Sequence, residues 1–271
     1  MLNTFLLEVA NRCDFYNQGF FGYGAEGDFK YFTLAHIIPV LLLIVAIVLT
    51  YLYREKFRNW KHEKSFRLFL GVVMMIAEMG YFWRLLYAGS GSAESTTLLT
   101  KLPIQVCEWT GIMAMIMVWS ENKTCFDIDV FVCLTAGIVP LITPAVISTT
   151  GPRYFRYYQF FLEHEMSIYA VFYMMFVKGY KFNPKKIYKP IIFLGILSTF
   201  AIIFNTLIED AQYLYLSGKT TGGSISNFLP QNIPLRLLIM GSILLVGFGI
   251  EILIFTLIEK SKSKKIQTAE V

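Results

Sequence analysis

Seven long apolar stretches constrain this chain more than any other feature of its sequence. They lie at 33–53, 66–88, 98–119, 126–148, 160–178, 188–209 and 233–258. A hydrocarbon core of about 30 Å needs roughly 20 apolar residues per helix, and these stretches have that length. Only 16% of the 271 residues are charged, too few to cover the surface of a soluble domain. The sequence therefore predicts an all-α polytopic membrane protein with about seven transmembrane helices.

Prolines predict two local features of these helices. We expect the third helix to start at Pro103, because a proline is tolerated in a first helical turn. Pro140 and Pro144 interrupt the fourth stretch, which predicts a kink in that helix.

The loops differ in Lys and Arg content, which predicts their side of the membrane. The segment 53–67 carries six such residues, the segment 177–189 carries five and the segment 259–265 carries four. The positive-inside rule places these segments in the cytoplasm, with the N-terminus outside and the C-terminus inside. The expected organisation is an extracytoplasmic segment at 1–30, a transmembrane domain at 31–259 and a basic cytoplasmic tail at 260–271. Because the basic residues are explained by topology, no nucleic acid partner is predicted.

Polar side chains inside the predicted spans gather at one level, in the outer half of the bilayer. Such groups are costly in lipid and mark candidate functional sites. They are His36, Glu78, Arg84, Gln105, Cys107, Glu108, Glu163, His164, Glu165, Asn205, Glu209, Asp210 and Gln212. The inner halves carry almost nothing comparable. We expect a polar cavity open to the outer leaflet, although hydrogen bonds between helices would also explain single members of the set.

Cys107 and His164 are the pair in this set with the chemistry of covalent catalysis. A thiol becomes a nucleophile when a base or a cation lies nearby, and a third polar group fixes the tautomer of a histidine base. His36 lies at the same level and is the alternative base. Taken singly, a buried cysteine is often a small hydrophobic residue. Their shared depth predicts a Cys–His acyl-transfer site.

Four short motifs support this interpretation. They are "FTLAHIIP", "KLPIQVCEW", "TPAVISTTGPRYFRYYQFFLEH" and "FNTLIEDAQYLYL". In this order and spacing they resemble the YwaF-like family of bacterial integral membrane proteins. That family is similar to the transmembrane protein 164 group of seven-helix acyltransferases, which remodel ether phospholipids. The resemblance implies a multi-pass protein of a bacterial plasma membrane with lipid substrates, in which Cys107 is the nucleophile and His164 the base. The chain departs from the family at Gln105, where many relatives have a histidine, and at Gln212, where many have an asparagine.

The predicted site follows from these observations. The catalytic group comprises Cys107, His164 and Asn205, with Asn205 or Gln105 donating to the oxyanion. The predicted substrate-binding residues are His36, Glu78, Arg84, Gln105, Glu108, Glu209, Gln212 and Tyr213. No cofactor is expected.

Two other functions are compatible with the sequence. A transporter or receptor-like protein would bind a small polar or lipid ligand in the outward cavity, although the seventh span lacks a lysine for a retinal Schiff base. A zinc site would use His36, His164, Cys107 and a glutamate. No fixed ligand spacing supports zinc, so no metal is expected.

Overall fold

Helices are the regular secondary structure of the described part of the chain. The computed structural model describes residues 20, 29–87, 102–144, 151–208, 211–218 and 228–269, without the side chains of 82–87 and 262–269. The α-helices are α1 Leu34–Leu52, α2 Arg54–Arg58, α3 Glu63–Tyr87, α4 Val106–Ser120, α5 Lys123–Val132, α6 Ile138–Ile142, α7 Phe155–Phe176, α8 Tyr188–Leu207 and α9 Ile233–Ala269. No strand occurs in these residues. The all-α prediction is confirmed, and a helix lies on each of the seven predicted stretches.

Four of these segments have the length and apolar composition needed to cross a membrane. They are Leu34–Leu52, Lys123–Ile142, Pro184–Leu207 and Ile233–Ser261, and α4 is a shorter apolar helix. The two remaining long helices, α3 and α7, carry the charged residues of the candidate site. The number seven and the orientation of the termini stay predictions.

Helix α7 lies at the centre of the bundle. It packs against α1, α3, α4 and α6, and most of its side chains are buried. Helices α1, α8 and α9 lie at the periphery and expose large apolar side chains, such as Leu42, Ile192 and Leu238. Soluble monomers rarely expose contiguous apolar surface on this scale. A lipid environment accounts for it.

Helix α4 starts later than predicted. It begins at Val106, three residues after Pro103, because Gln105 and Glu108 form a capping box. The Gln105 backbone N–H donates to Glu108 Oε2 at 2.9 Å, and the Gln105 side chain accepts from the Glu108 backbone N–H. The prediction that Pro103 starts the helix is therefore wrong. The helix has 15 residues, about 22 Å, which is shorter than a hydrocarbon core of about 30 Å.

A folded-back segment covers the start of α4. Residues 211–216 follow α8, and Tyr213, Leu214 and Leu216 are buried there with Ile104 and Leu197. Irregular backbone is tolerated at membrane depth only where protein covers it or where it lines a cavity. We name residues 211–216 the cover segment.

The predicted kink in the fourth stretch appears as a π-helical turn. This turn, Cys133–Gly137, joins α5 to α6. Pro140 has no N–H to donate to the carbonyl four residues earlier, and a wider turn accommodates the missing bond. Helix α6 ends at Ile142, two residues before Pro144.

Charged side chains join the N-terminal end of α3 to the C-terminal ends of α4 and α7. Arg67 on α3 lies 3.3 Å from Glu63 Oε1 and 2.7 Å from Oε1 of Glu121, which ends α4. Lys178 Nζ, just after α7, lies 3.1 Å from the same Glu121 oxygen. Arg67 is 3% exposed, so the network holds this end of the bundle from inside.

Candidate functional site

Cys107 and His164 meet in the structure, as the sequence predicts. The Cys107 sulfur, a His164 ring nitrogen and a Glu163 carboxylate oxygen all lie within 4.8 Å of one another. Cys107 is the second residue of α4 and is half-buried. His164 is the tenth residue of α7, which places it about 14 Å along that helix. The site therefore lies well inside α7, away from its N-terminal end.

A backbone hydrogen bond fixes the tautomer of His164. Its Nδ1 lies 2.8 Å from the Phe160 carbonyl oxygen. A carbonyl oxygen can only accept, so Nδ1 carries the hydrogen in the neutral ring and Nε2 carries the lone pair. The ring also packs on the Phe160 ring at 4.5 Å between centroids. In the neutral ring Nε2 is therefore the nitrogen that can accept a proton or a hydrogen bond.

Glu163 belongs to a buried polar network between α7 and α3. Gln159 Nε2 donates to Glu163 Oε2 at 2.5 Å and to the Ala77 carbonyl oxygen at 3.1 Å. Arg156 donates to Gln159 Oε1, lies 3.8 Å from Glu163 Oε2 and lies over the Tyr81 ring at 4.5 Å. This network holds the Glu163 carboxylate in place beside the Cys107–His164 pair.

Glu78 contributes a buried carboxylate from α3. The residue is 6% exposed, and neither of its carboxylate oxygens has a hydrogen-bond partner among the described residues. Its Oε2 lies 3.8 Å from the position that a Cβ on Gly111 of α4 would occupy. It interacts electrostatically with Glu163 and with Cys107. The predicted substrate-binding residue Glu78 is therefore part of the group around the cysteine.

Several other predicted site residues hold the cover segment. Asn205 Oδ1 accepts from the Tyr213 backbone N–H at 2.7 Å, and Asn205 Nδ2 donates to the Tyr213 carbonyl at 2.9 Å. Gln105 Oε1 accepts from the Leu214 N–H at 3.1 Å, and Gln105 Nε2 donates to the Gln212 carbonyl at 3.5 Å. The Tyr213 hydroxyl accepts from the Leu102 backbone N–H at 2.8 Å. Together with the capping carboxylate of Glu108, these groups fix the backbone next to Cys107.

His36 lies apart from the pair that contains Cys107. Its Nε2 donates to the Leu141 carbonyl at 2.7 Å, and its Nδ1 accepts from the Phe32 backbone N–H at 3.0 Å. Nε2 thus joins α1 to α6, Nδ1 holds the turn before α1, and both ring nitrogens are engaged. The side chain of Arg84 and the whole of Glu209 lie outside the described residues.

Sequence reasoning missed two members of the site, Gln159 and Ser167. Ser167 Oγ donates to the Glu163 carbonyl oxygen at 3.0 Å and lies 3.8 Å from the position that a Cβ on Gly111 would occupy. Both residues share the face of α7 that carries Arg156 and Glu163, at spacings of three and four. That spacing is a signal that the sequence itself carries.

The prediction that the inner halves carry almost no comparable polar groups is wrong. Asp129 on α5 is fully buried, and its carboxylate has no hydrogen-bond partner among the described residues. Glu251 on α9 is 7% exposed, and its Oε1 accepts from the Thr135 hydroxyl at 2.5 Å. Both carboxylates lie inside predicted spans, so their positions alone could have indicated them.

Comparison with known proteins agrees with this architecture. The sequence matches the family model described as the TMEM164 family over residues 31–252. Neither the curated proteins nor the solved structures gave a match. The matched range includes α1 to α8 and most of α9, and therefore every residue of the site described above. Together with the long apolar helices, the match identifies a multi-pass membrane protein.

Proposed function

Because the chain belongs to the TMEM164 family and carries a Cys–His pair among buried polar groups, we propose that it is a membrane-embedded acyltransferase. It would act on phospholipid or other lipid acyl esters through a thioester on Cys107. One observation carries the proposal: the Cys107 sulfur lies within 4.8 Å of a ring nitrogen of His164, whose Nδ1 is held by the Phe160 carbonyl.

The first half-reaction loads the enzyme. His164 Nε2 takes the thiol proton of Cys107, and the thiolate attacks the acyl carbonyl of the donor lipid. The carbon–sulfur bond forms and the ester carbon–oxygen bond breaks. His164 returns the proton to the departing lipid alkoxide, so a lysolipid leaves and the acyl group stays on the Cys107 sulfur.

The second half-reaction unloads the enzyme. The hydroxyl of an acceptor lipid gives its proton to His164 Nε2, and its oxygen attacks the thioester carbonyl. The carbon–sulfur bond breaks, and the proton returns from His164 to the Cys107 sulfur. Water in place of the acceptor would give hydrolysis by the same steps.

Backbone N–H groups of α4 are the oxyanion donors that we propose. The first N–H groups of a helix have no intrahelical acceptor, and those of Val106 and Cys107 lie in that first turn. One such donor is worth about 3 kcal/mol in characterised hydrolases. On this proposal Asn205 and Gln105 act as positioning residues, because the Asn205 amide ties the cover segment to α8 and the Gln105 amide ties it to the start of α4. Glu78 is the substrate-binding group, since an unpartnered carboxyl can bond an acceptor hydroxyl.

Mass spectrometry of the protein in lipid nanodiscs tests the proposal. A donor phospholipid with an isotope-labelled acyl chain and an unlabelled lysolipid acceptor are supplied together. We expect labelled acceptor, and a labelled acyl group on Cys107 that hydroxylamine removes. Both signals should vanish in Cys107→Ala and His164→Asn and persist in Cys125→Ala, which removes a half-buried thiol of α5.

Two results would refute the thioester mechanism. One is acyl exchange that is unchanged by Cys107→Ala. The other is the absence of exchange together with saturable solute binding that survives the loss of both Cys107 and His164. The second result would favour the receptor-like or transport function.

A further inference from the structure

The donor atoms of Cys107, Glu163 and His164 converge in a way that acyl transfer alone does not require, and we infer that they bind Zn²⁺. A thiolate, an imidazole nitrogen and a carboxylate oxygen are the three ligand types of protein zinc sites. In a tetrahedral site with bonds of about 2.0–2.3 Å, donor atoms lie about 3.5 Å apart. The three donors lie within 4.8 Å of one another, so side-chain shifts of about 1 Å would complete the geometry.

The surroundings of His164 are those of a metal ligand. A ligating histidine usually donates its second ring N–H to a carbonyl or a carboxylate, which fixes the ring and its tautomer. The His164 Nδ1 bond to the Phe160 carbonyl does this and leaves Nε2 for the metal. Glu163 is fixed in the same way, because Gln159 donates to its Oε2 at 2.5 Å. His36, a ligand of the zinc site considered from sequence, has both nitrogens engaged elsewhere.

An unpartnered carboxylate beside the cluster independently indicates a cation. Glu78 is 6% exposed, its oxygens have no hydrogen-bond partner in the described part of the chain, and it interacts electrostatically with Glu163 and Cys107. Arg156 is the cation that the described residues place nearby, and it already contacts Glu163 and Gln159. Buried carboxylates are unfavourable in a membrane unless they are paired or neutralised. A divalent ion held by Cys107, Glu163 and His164 would supply the missing positive charge beside Glu78.

Metal binding would have a direct consequence for the chemistry. Zn²⁺ binds cysteine as the thiolate, so the Cys107 thiol proton is released to water when the ion binds. The ion would then be bound by both the sulfur and His164 Nε2, so neither could react with a lipid. The zinc-bound protein is therefore inactive in acyl transfer, a consequence that rests on the proposed function, whereas the binding itself does not.

Titration of chelator-stripped protein with Zn²⁺ and Co²⁺ tests the binding. We expect about one Zn²⁺ per chain and, with Co²⁺, a sulfur-to-cobalt charge-transfer band. Cys107→Ser and Glu163→Gln should each weaken the Zn²⁺ affinity by more than about tenfold, since even outer-shell changes cost that much. The matched controls are Glu165→Gln and Cys125→Ser. Glu165 follows His164 on α7 but lines a separate cavity with Leu42 and Tyr169. Both variants should bind Zn²⁺ as the wild type does.

A second measurement uses the wild-type protein and does not depend on the folding of the variants. Zn²⁺ should protect Cys107 from a maleimide and leave the labelling of Cys125 unchanged, as peptide mass spectrometry reports. Equal labelling of Cys107 with and without saturating Zn²⁺ would overturn the inference, as would an affinity unchanged by Cys107→Ser.

The acyl-exchange assay separates this inference from the proposed function. Exchange that Zn²⁺ abolishes and a chelator restores supports both. Zn²⁺ binding with no exchange by the metal-free protein would overturn the proposed function and leave the metal site standing. Exchange by a protein that does not bind Zn²⁺ would overturn the metal site alone.

Discussion

Removing the Asn205 amide should release the cover segment from α8 and so loosen its packing over the start of α4. Asn205 makes two hydrogen bonds to the Tyr213 backbone, at 2.7 and 2.9 Å. Each such bond contributes about 1 kcal/mol net, so Asn205→Leu, which keeps the branched shape of the side chain and removes both bonds, should destabilise the closed segment by about 2 kcal/mol. That free energy corresponds to a roughly 30-fold larger population of the open segment.

Hydrogen exchange measured by mass spectrometry reports this opening directly. Peptides that contain residues 211–216 should exchange about 30-fold faster in Asn205→Leu, and peptides of α7 should be unchanged. Cys107 should also react faster with a maleimide, because the cover segment lies against the turn that precedes it. The matched control is Thr206→Ala, since the exposed Thr206 hydroxyl contacts only the carbonyl of Ile202 on its own helix among the described contacts.

The reasoning fails if exchange in residues 211–216 changes by less than about twofold in Asn205→Leu. It also fails if Thr206→Ala has the same effect as Asn205→Leu. In either case the amide pair would not be what holds the segment, and the positioning role proposed for Asn205 would be lost.

Three further substitutions test the packing around the site by thermal unfolding in detergent. Glu108→Ala should cost about 1 kcal/mol by removing the capping box, whereas Glu108→Gln keeps an acceptor oxygen and should cost little; equal losses would contradict the cap. Arg67→Ala should cost about 2 kcal/mol because it removes the buried guanidinium that bonds Glu63 and Glu121 and leaves Lys178 as the cation that contacts both; Arg67→Lys should cost less, and an unchanged midpoint would refute the network. Gly247→Ala should cost about 2 kcal/mol because its Cβ would lie 2.3 Å from Thr135 Cγ2, whereas Gly249→Ala meets nothing within 4 Å and should be neutral; similar midpoints would contradict this close packing of α9.

The helices and the central pair of the site could be predicted because their signals are local. Apolar length predicted where helices lie, and the shared depth of Cys107 and His164 on two spans predicted that they meet. The start of α4 could not be predicted in this way. It depends on a reciprocal bond between Gln105 and Glu108, and a proline two residues before the cap resembles a proline in a first turn.

The roles of single polar residues depend on contacts that sequence spacing does not encode. Asn205 and His36 looked equivalent to His164 by depth, yet Asn205 bonds the backbone of Tyr213 and His36 bonds the carbonyl of Leu141. Asp129, in contrast, is a buried polar residue that was not predicted from the sequence. The sequence places it inside a predicted span, but its complete burial on α5 follows only from the packing of neighbouring helices.

The late start of α4 also sets the electric field at Cys107. The aligned peptide dipoles of a helix place about half a positive charge at its N-terminus, and Cys107 lies in that first turn. Water at a membrane surface would screen this charge, but the cover segment and α7 surround the end of α4 with protein. In partly buried geometries the interaction with an anion reaches about 2 kcal/mol. A third helix that started several residues earlier would carry this positive end away from Cys107, so the late start of α4 keeps the field on the sulfur, where it counters the repulsion of a thiolate by the nearby glutamates.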